Sequence, residues 1–486
     1  MLSRETANST RIITQNQMFY PISLDEIKLK VEKRNGRRNG GYNGYRGQPA
    51  SLKEYQLTKI EKIENEFKEK IIKVDGDIPV KLPVNDRDRF LFISYDQSAL
   101  THGLHKYPAK FFPELPRWLI RRYSKEGDLI LDPFLGSGTT NVEALLLRRD
   151  SVGIDVDPFS RMLAKVKVTP LKEGELKESQ RRLLRAVTIF DPAKVFLRDI
   201  PYFPYRDNWF NREIILELSY IRKMIAKLDC SEDTREFFSI CLSSVIRSVS
   251  NADDNCTRTV IREKLNKKVS PSDALRKFAE AILINVPKMI EFSKRCPRDI
   301  KVFLPDDMDA RKITFEPETF DLAVTSPPYA NAVDYPRTHQ LEMYWLGLAT
   351  GSLTPLKKKH VGTESVSSED YKKLHKIGIN EADRVIAKIF QSDPRRAYIV
   401  FKYLRDMREN LSEVHRVLKK GGRYTVVVGN NKIRGEVFEN WKYIMEIAKV
   451  TGFKVENYFA SEIIKHFIKV PREERINTDW ILVLKK

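Results

Sequence analysis

The chain is poor in the residues that build metal sites and disulfide frameworks: 486 residues hold four cysteines, Cys230, Cys241, Cys256 and Cys296. They stand singly, with no Cys-x-x-Cys pair and no histidine at ligand spacing, which argues against a bound metal and for reduced thiols. Long apolar runs are missing too. None approaches the roughly 18 residues a spanning helix needs, and the opening Met1-Leu2-Ser3-Arg4-Glu5 lacks the apolar stretch of a signal peptide, so the sequence reads as a cytoplasmic protein with no membrane partner. Two common nucleotide patterns are also absent. No lysine follows Gly138, which removes the phosphate-binding P-loop, and Asn141 stands where a dinucleotide fingerprint wants its third glycine.

What is abundant is positive charge. Lys and Arg outnumber Asp and Glu by 86 to 66, a net +20, which favours a polyanionic partner such as nucleic acid over a small neutral one. The length allows a catalytic core with appended modules. Residues 1–89 read as a basic N-terminal extension. Within it, 33–47 is rich in Gly, Asn and Arg and cannot bury a core, while Leu57, Ile60, Ile63, Phe67 and Ile71 fall at helical spacing and predict a helix over 52–73. Short apolar strands are expected at 128–131, 151–154, 320–324, 424–428 and 480–484, with helices at 139–149 and, behind Asp157 as N-cap and Pro158, to about 168. This alternation predicts a doubly wound, Rossmann-like α/β sheet built from 90–170 and 305–486. Residues 171–304 are basic and mostly helical, including 235–248 and 274–295. They read as a helical insert; the alternative is that some of these helices cover the sheet.

Two strings carry chemistry. Asp132-Pro133-Phe134-Leu135-Gly136-Ser137-Gly138-Thr139-Thr140 joins a strand to a helix, where glycines let backbone N–H groups approach a ligand. Asp155, at the end of the next strand, can accept from both hydroxyls of a ribose. With no pyrophosphate pattern, this suits an adenosine without phosphates. S-adenosyl-L-methionine fits, Asp132 meeting its cationic amino acid moiety and the turn N–H groups with Thr139 or Thr140 meeting its carboxylate.

The second string, Thr325-Ser326-Pro327-Pro328-Tyr329, also follows an apolar strand. The exocyclic amine of cytosine or adenine is conjugated with its ring and attacks a methyl sulfonium only if acceptors draw its lone pair out of conjugation. The Ser326 hydroxyl and the Pro327 carbonyl can be those acceptors, the two prolines fix the backbone, and Tyr329 offers a flat face to an extruded base. Methylation at cytosine C5 would need a cysteine after a proline. No Pro-Cys pair occurs, and Cys296 instead precedes Pro297.

On these strings the chain resembles the amino-group DNA methyltransferases that make N4-methylcytosine or N6-methyladenine, many of them in restriction–modification systems. The likeness covers roughly 90–486, apart from much of the insert. It implies an S-adenosylmethionine-dependent methyltransferase fold, with cofactor contacts from Asp132, Pro133, Phe134, Gly136, Ser137, Gly138, Thr139 and Thr140 and a ribose contact from Asp155. The segment His105-Lys106-Tyr107-Pro108-Ala109-Lys110-Phe111-Phe112 resembles the one that closes over the methionine part, which implies Lys106, Pro108, Lys110 and Phe111. Asp309 is similar to the carboxylate that accepts from the adenine amine. Ser326, Pro327, Pro328 and Tyr329 become the catalytic residues, and no metal is required. The order of the strings resembles the class with its target-recognition region between them, so the insert would read double-stranded DNA, and a cognate restriction endonuclease would be a partner. Ser before the proline pair favours cytosine N4 over adenine N6. An RNA exocyclic-amine methyltransferase and a non-catalytic DNA-binding subunit of the same fold are the competing readings.

Overall fold

The computed structural model describes residues 22–38, 58–64, 69–262, 264, 267–330, 333–463 and 478–486. The chain opens with helix α1 (Leu24–Arg38) and strands β1 (Lys59–Glu64), β2 (Lys70–Asp75) and β3 (Arg89–Ile93), then α2 (Glu114–Tyr123), β4 (Leu129–Asp132), α3 (Thr139–Leu146), β5 (Asp150–Gly153) and α4 (Pro158–Val168). Five helices follow, α5 (Glu173–Thr188), α6 (Arg206–Trp209), α7 (Arg212–Ala226), α8 (Glu232–Ile246) and α9 (Asp273–Arg295), before β6 (Val302–Phe303) returns to the sheet. After β7 (Phe320–Thr325) come α10 (Tyr335–Thr338), α11 (Gln340–Leu346), α12 (Thr354–Lys359), α13 (Asn380–Ser392) and α14 (Pro394–Val417). The chain ends with β8 (Leu418–Gly429), the small hairpin β9 (Asn431–Ile433) and β10 (Glu436–Phe438), α15 (Asn440–Val450), β11 (Lys454–Glu462) and β12 (Thr478–Lys485).

Ten of these strands form one sheet in the order β1-β2-β3-β11-β12-β8-β7-β4-β5-β6. From β8 to β6 every pairing is parallel, and β12 runs antiparallel to both of its neighbours. Strand side chains alternate between two buried faces, as a period of two requires. Ile130, Leu322, Val324, Val427, Ile481 and Val483 pack under α2, while Leu131, Ala323, Val426, Val428, Leu482 and Leu484 pack under α13, α14 and α15. Helices on both faces explain why the strands are almost continuously apolar. The doubly wound sheet expected from the sequence is therefore present, and its strand order reverses between β4 and β7.

Two expectations need correction. The helix over 52–73 is not formed: β1 and β2 pair antiparallel there, Ile60 opposite Val74 and Ile63 opposite Ile71, and β2 joins β3 in parallel. Its helical spacing was misleading because Ile71, Ile72 and Val74 are β-branched and β3 offers an unpaired edge. Leu57 and Phe67 lie outside the described residues. The helix of the N-terminal region is instead α1, whose Ile27 and Val31 are buried in the same core as α9; of the Gly-, Asn- and Arg-rich stretch, 39–47 lies outside the described residues. Lys419-Lys420-Gly421-Gly422, which resembles a turn, lies inside β8.

Helices α5, α7, α8 and α9 share one apolar core with Val142 and Leu145 of α3 and Phe159 and Leu163 of α4. The insert thus packs directly on the helices that flank the Gly-rich turn.

Because Ile78, just after β2, is 1% exposed within the core beneath the sheet, Ile78→Ala is expected to cost about 2–5 kcal/mol in chemical denaturation. A change within about 0.5 kcal/mol would mean that this region is not integrated into the fold.

Candidate functional site

The reversal between β4 and β7 leaves a crevice at the carboxyl ends of the strands, the usual ligand position in an open α/β sheet. There the two strings meet. Thr325, at the end of β7, donates from its hydroxyl to Asp132 Oδ1, at the end of β4, over 2.6 Å and 193 residues of chain. A cleft of about 810 Å3, counting its open mouth, is lined by the Gly-rich turn on one side and by Ser326 and Pro328 on another.

The turn is fixed from several directions. Leu135 N–H donates to Ile154 O (2.9 Å) and Gly138 N–H to Leu135 O (2.8 Å); from below, the buried Lys167 ammonium donates to Ser137 O at 2.5 Å. Burial pushes that lysine well below its ordinary pKa. Helix α3 begins after Gly138 with no side-chain cap, so its first N–H groups lack intrahelical acceptors and point a partial positive charge toward an anion. Thr140 Oγ1 is buried on the cleft wall beside the Asp132 carboxylate, whose charge it favours, and makes no hydrogen bond of standard geometry among the described residues. This uncapped helix start and buried hydroxyl fit a ligand carboxylate.

The remaining lining is acidic. Asp155 Oδ2 accepts from Gly136 N–H (2.9 Å) and its Oδ1 from Asp157 N–H (2.8 Å); burial, and then the neighbouring Asp157, raise its pKa to about 6. Burial likewise raises Asp132 to about 6 against the opposing bonds from Thr325 and Phe134. Asp157 caps α4 as its sequence implies, Oδ1 accepting from Phe159 and Ser160 N–H at 2.8 and 3.3 Å. Asp309 lines the cleft but is gripped by Arg311 Nε and Nη2 at 2.9 and 2.6 Å, which holds it below the usual carboxylate range despite burial.

Of the residues singled out in the sequence, Lys110, Phe111, Asp132, Pro133, Phe134, Gly136, Ser137, Thr139, Thr140, Asp155, Asp309, Ser326 and Pro328 all border this cleft. Lys106, Pro108 and Gly138 do not line it. The Lys106 ammonium reaches Asp254 O at 3.5 Å, on the insert. Gly138, at φ +73°, is needed for packing: a Cβ there would lie 2.7 Å from Ala164 Cβ of α4. Pro327 is buried, and Tyr329 turns away from the turn, its hydroxyl donating to Asp479 Oδ1 of β12 at 2.7 Å. Unmarked by any motif are Lys359, His360 and Val361 on the wall, which Tyr107, from the His105–Phe112 segment, and Tyr335, just beyond the second string, complete. Tyr107 stacks on Tyr335 with ring centroids 5.6 Å apart and bonds the Ser160 hydroxyl at 2.9 Å. The described residues hold no group of three or more His, Cys, Asp or Glu side chains able to bind a metal ion, and no described helix is long and apolar enough to cross a membrane.

A doubly wound sheet reversed at β12 and at the edge strand β1, with its cleft at the switch point, has the arrangement expected of an S-adenosylmethionine-dependent methyltransferase fold. Residues 9–165 match the N6/N4 family model described as DNA methylase. The chain is similar to the Type II methyltransferase M.MvaI of Kocuria varians, 26% identical with 72% of this chain and 82% of that protein covered. It also resembles the Type II methyltransferase M.BsoBI of Geobacillus stearothermophilus, 24% identical over 74% of this chain and 81% of the relative. A solved S-adenosylmethionine-dependent methyltransferase of Methanosarcina mazei aligns loosely, at TM-score 0.27 and 11% identity, over 79% of this chain and 98% of that one. The sequence matches support an amino-methyltransferase of the restriction–modification type, with S-adenosyl-L-methionine as its cofactor.

The packing role of Gly138 is testable. Gly138→Ala should cost about 2 kcal/mol in thermal or chemical denaturation, and adding Ala164→Gly should recover the steric part. Unchanged stability with a selective loss of cofactor affinity would instead place Gly138 in direct contact with the cofactor.

Proposed function

We propose that this chain methylates an exocyclic amine of a base in double-stranded DNA, cytosine N4 ahead of adenine N6. One observation carries the reading: strings 193 residues apart meet through the Asp132–Thr325 bond, so Ser326 and the Gly-rich turn border the same cleft. Similarity to Type II methyltransferases supports DNA as substrate.

In this reading the cofactor's carboxylate lies at the start of α3 with Thr140, its cationic amino acid part faces Asp132, and its ribose faces Asp155. The cofactor supplies an electrophilic methyl group on a sulfonium. The Ser326 hydroxyl oxygen and the Pro327 carbonyl accept the two amine hydrogens of the target base, which pyramidalises the nitrogen and frees its lone pair. Tyr329 stacks on the extruded base, its ring angle set by the hydrogen bond to Asp479. As the N–C bond forms, the methyl–sulfur bond would break with its electron pair left on a neutral thioether, and the amine nitrogen gives up one proton to solvent, so no strong base is required. A neutral serine hydroxyl before the proline pair, in place of a carboxylate, supports cytosine. The helical insert 171–304 serves as the target-recognition region, and the protein acts in the cytoplasm beside a cognate endonuclease. Its net +20 draws it to DNA through released counterions.

The full chain, given labelled S-adenosylmethionine with double-stranded DNA or RNA, should yield N4-methylcytosine in the DNA when product nucleosides are resolved by mass spectrometry. N6-methyladenine would keep the class and reverse the base, and label only in RNA would overturn the substrate. Ser326→Ala should lower kcat by about 10²–10³-fold while leaving cofactor affinity near that of the parent protein; undiminished turnover would remove Ser326 from the chemistry. DNA affinity should fall steeply between low and moderate salt.

A further inference from the structure

The wall facing Asp155 and Asp157 comes from residues 359–361, which follow α12 and belong to neither string. His360 Nδ1 lies 2.9 Å from Leu356 O, and because a carbonyl only accepts, Nδ1 carries the hydrogen. The other ring nitrogen, Nε2, faces Asp157 Oδ2 at 3.6 Å, beyond hydrogen-bonding distance. Both atoms are buried and make no hydrogen bond among the described residues beyond this long ion-pair contact with each other, and the Asp157 side chain is 1% exposed. Its Oδ1 is already committed to the start of α4.

Two buried polar atoms left without a hydrogen bond in a ligand cleft cost free energy until something satisfies both. With a neutral ring, two lone pairs would face each other. With a charged ring, an N–H donor and a carboxylate acceptor stand side by side, close to the carboxylate of Asp155. A vicinal diol answers that pattern, since each hydroxyl can both donate and accept. We infer that His360 and Asp157 form a second clasp on the cofactor ribose, opposite Asp155, with His360 donating from Nε2 to one hydroxyl and Asp157 Oδ2 accepting from the other. The inference rests on the S-adenosylmethionine reading of the cleft.

The charge on His360 is favoured where it sits. Burial opposes it, but Asp157 and, further off, Asp155 outweigh that and keep the ring above its usual 6.5. The other titratable groups around the ring are Lys359 beside it, Asp309 and Tyr335 on the cleft wall, and His339, which acts on Asp157. Burial drives His339 down to about 3 and Tyr335 up beyond the neutral range, so neither changes charge near neutrality.

Cofactor affinity should therefore have two limbs. It rises as Asp155 and Asp132 ionise through about 6, and it falls at higher pH as His360 loses its proton. The probe is S-adenosylhomocysteine, titrated calorimetrically into the full chain from about pH 5.5 to 8.5, the range over which histidine titrates. His360→Gln should weaken binding about tenfold near neutrality and abolish the alkaline fall. His360→Lys, which keeps a positive charge throughout, should retain affinity at high pH. The loss in His360→Gln should vanish for the 2′,3′-dideoxyribose analogue of the probe. Binding of His360→Gln with parental affinity and pH profile, or an equal loss for both probes, would overturn the clasp. No binding of the probe by the parent protein at any pH would overturn the cofactor reading and the clasp together.

Discussion

Everything functional in this fold hangs on one bond across one reversal. β4 and β7 are neighbours in the sheet, but the chain leaves β4 toward β5 and leaves β7 toward β8, so the connections diverge and open a crevice between them. Asp132 stands at its floor, 3% exposed, and a carboxylate so placed is costly unless donors surround it. Thr325 and the Phe134 amide supply those donors. The Thr325 contact ties the start of one string to the start of the other, so the distance between the Gly-rich turn and Ser326 is set by strand pairing rather than by flexible loops. A reaction that joins two bound molecules needs that kind of fixed separation.

Five of the ten sheet strands, β4, β5, β7, β8 and β12, and the two strings were legible because they are local. Each parallel strand is buried on both faces, so it appears as an apolar run, and each string begins where such a run stops. The hairpin of β1 and β2 was not legible. Its isoleucines sit among lysines and glutamates at a spacing that a helix would also satisfy, and only the free edge of β3, a tertiary fact, decides for strand. On the cleft wall, Tyr107 falls within a segment the sequence already marks, whereas His360 was hidden for the same reason as the hairpin, since topology alone brings it there. The motif residues that missed the cleft are as instructive. A motif marks a segment, not the direction of each side chain: Lys106 points to the carbonyl of Asp254, and Gly138 is glycine because α4 comes too close for a Cβ.

The insert is not an independent module hung on the sheet. Its four long helices bury the same apolar core as α3 and α4, and those are the helices whose first turns border the cleft. Close-packed interiors transmit displacement rather than absorb it. The insert and the helices that begin at the cleft are therefore parts of one packed body. Lys106 adds a second link, reaching from the segment beside the cleft to the insert loop at Asp254.

The charge distribution separates two tasks by distance. Far from the surface, a chain of net +20 presents a field that attracts polyanions. Inside the cleft, Asp132, Asp155, Asp157 and Asp309 line the wall, and at contact range in a water-poor site these near charges outweigh a surface field that salt screens within roughly 8–10 Å. Arg311 neutralises Asp309, and Asp157 faces His360, which leaves Asp132 and Asp155 as the uncompensated pair. A ligand bearing both a sulfonium and an ammonium matches that pair, whereas its demethylated product, which lacks the sulfonium charge, matches it less well. The difference favours exchange of product for fresh cofactor without any rearrangement of the fold.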